Sequence, residues 1–181
     1  MIYPQKTIRL KGNQRAEFRS PTAADAADML HYLKTCAQET EFILRYPEEC
    51  VETPEQEAEY LERVNQSETD VMIAAFVNGV LAGNCQLMMN KRLKTKHRAM
   101  VAIGLVQQYW NMGIGTAMFR EMIAIAKENG VSQLELEYIE GNDRARHLYE
   151  KMGFVAVAEH PNAVQLKDGT MRKEILMIKQ L

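Results

Sequence analysis

Apolar positions along the chain recur in two periods, and the changes between them mark its elements. Thr7 to Leu10 and Ala16 to Arg19 have the pattern of short strands around the turn dipeptide Gly12-Asn13. Pro21-Thr22-Ala23-Ala24-Asp25 then opens a helix whose apolar residues Ala26, Met29, Leu30 and Leu33 keep helical spacing, with an expected end near Thr40. A second start follows at Thr53-Pro54-Glu55, with a capping threonine and a proline at the first helical position. From Asp70 the period shortens. Val71 to Val77 and Val80 to Met89 flank Asn78-Gly79, a strong hairpin signal, and Arg98 to Val106 completes a meander.

The helical period returns after Gly113-Ile114-Gly115-Thr116. Ala117, Met118, Met122, Ile123 and Ala126 form a stripe that closes at Asn129-Gly130. Leu134 and Leu136 alternate with Gln133, Glu135 and Glu137 as a strand, Asn142 opens a helix ending at Gly153, and Phe154 to Ala158 and Met171 to Ile178 read as final strands. No repeat or flexible linker interrupts this succession, so residues 1–181 are expected to form one domain.

With 46% apolar and 25% charged residues the chain can bury a substantial core, and its formal charge of −2 offers no basic footprint for nucleic acid. Three cysteines without a CxxC pair and four scattered histidines supply no metal-ligand spacing. No apolar run approaches the roughly 20 residues of a spanning helix. The expectation is a cytoplasmic protein with no metal, no nucleic acid and no membrane among its partners.

Two segments carry candidate chemistry. The first is the strand, loop, Gly-x-Gly and helix from Met100 to Lys127. Glycines allow close backbone approach, and the free N–H groups at a helix start form an anion site suited to a pyrophosphate, although glycines also occur there for packing alone. A Walker loop would need lysine after Gly115, where Thr116-Ala117 stands. A dinucleotide fingerprint would need glycine or alanine at Met118. Both fail.

The second segment runs Asn142-Asp143-Arg144-Ala145-Arg146-His147-Leu148-Tyr149-Glu150-Lys151-Met152-Gly153-Phe154. An asparagine, an alanine three residues on, then Leu-Tyr-Glu-Lys-x-Gly-Phe, one strand beyond a Gly-x-Gly helix, resembles the GNAT superfamily of N-acetyltransferases. The resemblance covers most of the chain. It implies an α+β fold with a mixed, mostly antiparallel sheet flanked by helices, and acetyl-CoA as co-substrate. Leu105 and Val106 would offer backbone groups to the pantetheine arm, and Asn111, Met112, Gly113, Ile114, Gly115 and Thr116 would wrap the pyrophosphate. One departure stands out: the family often has Gln or Arg where this chain has Trp110.

The resemblance also singles out Asn142 and Tyr149 toward the cofactor, with Tyr149 as the general acid that protonates the departing thiolate. Each has a plainer explanation, Asn142 as a helix N-cap and Tyr149 as a core aromatic in the stripe Ala145, Leu148, Tyr149 and Met152. His147 points elsewhere on the helix. A base would help, because an alkyl amine is neutral in only about one molecule in a few thousand at pH 7. Glu41, Glu135, Glu137 and His97 are open for that role, and a covalent route through Cys85 is disfavoured for a cysteine in a strand.

Residues from Thr22 to Gln66 would form the acceptor side, where Glu39-Thr40-Glu41-Phe42 and Tyr46-Pro47-Glu48-Glu49 would suit a cationic amine. The acceptor is a small-molecule or peptide amine, with amino acid, polyamine, aminoglycoside and protein N-terminus all open, and a homodimer is compatible with such folds. The rival readings are a non-catalytic acyl-CoA-binding regulatory module and a purely structural interaction protein.

Overall fold

A computed structural model describes residues 1–181. Its strands are β1 (Lys6–Arg9), β2 (Arg15–Arg19), β3 (Asp70–Val77), β4 (Val80–Met89), β5 (Arg98–Leu105), β6 (Gln133–Ile139), β7 (Val155–Gln165) and β8 (Met171–Gln180). Its helices are α1 (Ala26–Glu39), α2 (Pro54–Gln66), α3 (Ile114–Glu128) and α4 (Asp143–Lys151). The strands form one sheet in the order β1-β2-β3-β4-β5-β6-β8-β7. Every neighbouring pair is antiparallel except β5 with β6. The architecture is the mixed, mostly antiparallel sheet with flanking helices that the family resemblance implies.

Each face of the sheet carries its own core. On one side Met118, Phe119 and Met122 of α3 pack with Phe18, Ile73, Leu87, Val101, Leu134 and Leu136. On the other, Met29 and Tyr32 of α1 and Leu61 and Val64 of α2 cover Met72, Ala74, Phe76 and Leu81. Because both faces of β3 are covered, Val71–Val77 is buried throughout, which explains an apolar run without alternation.

The local signals act where expected. Thr53 accepts the Gln56 N–H at 3.3 Å to start α2, and Asn142 accepts the Ala145 N–H at 3.2 Å to start α4. One element outruns its sequence pattern. β7 continues to Gln165, past the expected end at Ala158, through register shifts that accommodate Pro161 and Asn162. An edge strand tolerates such an interruption because only one side needs its hydrogen bonds.

Between α1 and α2, residues 40–53 form a strap across the sheet end. Tyr46 accepts the Lys167 N–H at 2.9 Å, and Lys167 also pairs with Glu48, tying the strap to the β7–β8 hairpin. Phe42 lies 3.5 Å from the place a Cβ on Gly141 would occupy, so the strap also rests on the β6–α4 turn.

Candidate active site

The sheet opens at its one parallel pair. β5 and β6 are in register only from Arg98 to Met100, opposite Gln133 to Glu135, and beyond this the strands diverge. β5 stays paired with β4 as far as Leu105. Its other edge therefore faces a gap. Val106 donates its N–H to Ala82 across β4 at 3.0 Å, so the alternation of an antiparallel ladder turns Ile103 and Leu105 toward the gap.

This geometry redistributes the groups that a ligand could use. The Val106 N–H is spent on β4, and the Leu105 carbonyl accepts the Trp110 indole N–H at 2.9 Å. What β5 leaves toward the gap is the Ile103 N–H and carbonyl and the Leu105 N–H. The family resemblance singled out Leu105 and Val106 and did not include Ile103, whose orientation depends on register.

At the end of the gap, Asn111 (φ 65°) and Gly113 (φ 92°) adopt left-handed conformations that turn the chain into α3. The Met112 carbonyl accepts the Lys11 N–H at 3.1 Å, while the Ile114, Gly115 and Thr116 N–H groups belong to the first helical turn, where no intrahelical acceptor exists. A Cβ on Gly115 would stand 2.9 Å from Leu148 Cδ2 and 3.3 Å from Leu105 Cδ1, so glycine lets β5, α3 and α4 meet. Cations converge here. Lys11 packs beside Gly113, Lys151 reaches Thr116 Oγ1 at 3.4 Å, and Arg144 lies 4.3 Å over the Trp110 ring while donating to Asn111 Oδ1 at 2.9 Å. Free N–H groups, the positive end of α3 and three cations make a site suited to an anionic, phosphate-bearing ligand.

Tyr149 sits on α4 with its ring 5.7 Å from Phe119, 6.1 Å from Tyr138 and 6.3 Å from Phe154. It is 7% exposed, and burial pushes its pKa up to about 12. Its aromatic packing and its hydroxyl chemistry are compatible. His147 is exposed, its Nδ1 2.6 Å from the Asp143 carbonyl oxygen. Cys85 is buried in β4 on the α3 side, where desolvation drives its thiol pKa far upward, against a nucleophilic role.

The opposite face of the gap lies under α1 and α2. Tyr32 donates to Asn84 Oδ1 and Tyr60 to Gln86 Oε1, each at 3.1 Å, forming a polar floor beside Gly104 and Ala102. Of the four residues open as a base, His97 lies at the far end of β5, and Glu135 is held by Arg98 at 3.2 Å and Gln133 at 2.7 Å. Glu41 is 3.8 Å from Arg172. Glu137 is exposed, makes no ion pair, and by strand alternation lies on the same face of the sheet as Glu135, two residues past the last pair with β5.

Residues 31–154 match the family model of the acetyltransferase (GNAT) family. Among solved structures, the acetyltransferase of the GNAT family from Streptococcus pneumoniae is similar at TM-score 0.85 and 27% identity, over 92% of this chain and 99% of that one. Ribosomal-protein-alanine N-acetyltransferase from Brucella melitensis is similar at TM-score 0.78 and 21% identity, over 91% of this chain and 99% of its own. The structure of yncA from Salmonella typhimurium with its cofactor acetyl-CoA gives TM-score 0.77 and 16% identity, over 91% and 92%. No curated protein sequence matches the chain.

Proposed function

The chain belongs to the GNAT acetyltransferase family, and we propose that it transfers an acetyl group from acetyl-CoA to a primary amine of a small molecule or peptide by direct attack. The observation that carries this reading is the divergence of β5 and β6 beyond Met100, which leaves strand-edge amides in line with the start of α3. The pantetheine arm would pair along Ile103 and Leu105 as an added strand, and the phosphates would settle on residues 111–116. The proposal treats residues 1–181 as one acetyltransferase domain.

In this reading the neutral amine nitrogen attacks the thioester carbonyl, forming the C–N bond while backbone N–H groups of β5 stabilise the oxyanion. Glu137 takes the proton that the nitrogen loses, through a water molecule. Collapse breaks the C–S bond, and Tyr149 gives its hydroxyl proton to the departing sulfur. Acetylated amine and free coenzyme A balance the reaction. A pKa near 12 keeps Tyr149 protonated throughout the neutral range, so it serves as acid and never as resting base.

Thiol release across an amine panel tests the reading. Tyr149→Phe is expected to lower kcat on the order of 100-fold, within the range for general acids, with acetyl-CoA affinity retained. Binding without turnover of any amine in the wild type would favour the acyl-CoA-binding module, and no binding would remove the proposal.

A further inference from the structure

Arg172 is the second residue of β8, and strand alternation puts it on the same face as Leu176, which is opposite Glu137 on β6. It therefore lies on the face under α1 and α2. Its Nη1 is 3.9 Å from the place of a Gly141 Cβ, next to the Phe42 ring, so the guanidinium lies where the strap rests on the β6–α4 turn.

Its ion pair is looser than those of its peers. Of the five half-buried arginines, four hold a carboxylate oxygen close by: Arg19 with Asp25 at 2.7 Å, Arg45 with Glu52 at 3.0 Å, and Arg98 with Glu135 and Arg146 with Asp143 at 3.2 Å. The Arg172 side chain makes no hydrogen bond. Its nearest carboxylate, Glu41, is 3.8 Å away, and its Nε is sealed from solvent with no acceptor. Arg146 Nε is also unpartnered, but its Nη2 is engaged by Asp143.

The strap's carboxylates, by contrast, are mostly occupied. Glu48 pairs with Lys167, Glu49 accepts the Tyr46 N–H at 2.7 Å and Glu52 pairs with Arg45, while Glu39, at the end of α1, accepts the Gln107 N–H at 2.7 Å; Glu41 alone faces Arg172. The carboxylates that the sequence offered to a cationic amine thus hold the strap together. The loosely paired charge beside them is a guanidinium, whose planar fork of donors matches an oxyanion.

We propose that Arg172 receives a carboxylate or comparable oxyanion of the acceptor, so that the substrate is an amine that also carries an acid, such as an amino acid. Polyamines, aminoglycosides and protein N-termini lack that group. The proposal rests on the acetyl-transfer reading above, with the acceptor's nitrogen toward Glu137 and its oxyanion toward Arg172, displacing Glu41.

Thiol-release assays with α- and ω-amino acids, each beside its own carboxamide, and with spermidine and kanamycin, test this directly. Wild type is expected to use at least one acid with kcat/KM on the order of 10- to 100-fold above its carboxamide, the value of a charge-assisted hydrogen bond. Arg172→Gln should bring that acid down to the level of its carboxamide, and Arg172→Lys should recover part of the difference. The acetyl-CoA dissociation constant, measured by titration, should be the same in all three. Equal use of acid and carboxamide, a preference that survives Arg172→Gln, or turnover of no acid at all overturns the proposal. If Arg172→Gln fails to fold, the wild-type ratio decides alone. Failure of wild type to bind acetyl-CoA would instead overturn the acetyl-transfer reading.

Discussion

Burial among Phe119, Tyr138 and Phe154 is what gives Tyr149 its chemical character, because a desolvated phenol holds its proton. The sign for pH dependence follows: the group is raised above its unfolded value near 10, so the protonated acid persists through neutral and mildly alkaline solution. The rate of acetyl transfer should rise with pH as the amine loses its proton and show no falling limb from Tyr149 below pH 10; a fall centred near pH 8 contradicts the assignment. Glu137→Gln removes the proposed base and keeps the side chain's size. Its kcat/KM should fall on the order of 100-fold at pH 7 and by less at pH 10, where more amine is already neutral; an equal loss at both pH values would argue against a base. Asn142 as a helix cap and Tyr149 as a buried aromatic were legible in the sequence because one motif spaces them. Ile103 and Arg172 were not, since their significance depends on strand register and on a strap that packs from far along the chain.

At the scale of elements, the site depends on how closely β5, α3 and α4 approach one another. Gly115→Ala would put a methyl group against Leu148 and Leu105, and this overpacking should cost about 1–3 kcal/mol in urea denaturation. Because the same contact sets α4 beside the loop, acetyl-CoA affinity should fall with it; unaltered stability and affinity would show that the elements separate freely. The elements themselves were largely legible. Asn78-Gly79 specified its hairpin, and the Thr53 and Asn142 caps set the starts of their helices. The extension of β7 was hidden by Pro161 and Asn162, which locally signal a turn and are tolerated only because β7 has one neighbour. Trp110 replaces a residue expected to contact phosphate, and in the structure it carries Arg144 over the loop and closes the Leu105 carbonyl.

Across the whole molecule, Arg19 of β2 grips Asp25 at 2.7 Å through two parallel hydrogen bonds and fastens the sheet to the start of α1. The guanidinium pulls the Asp25 pKa down to about 2. A depressed carboxyl stabilises the fold above its unfolded value of 3.8 and loses that contribution as pH falls toward 2, so Asp25→Asn should remove about 2 kcal/mol at pH 7 and flatten the acid limb between those values. An unaltered acid limb would assign that stability elsewhere. The fold's general plan followed from the sequence, but the opening of the sheet did not, because nothing local in β5 or β6 announces that their pairing stops after Met100. That opening is the centre of the account. Amide hydrogen exchange of the protein with and without saturating acetyl-CoA tests it most directly: protection should concentrate at Ile103, Leu105 and residues 111–116, whereas protection absent there, or confined to the α2 side of the sheet, would contradict it.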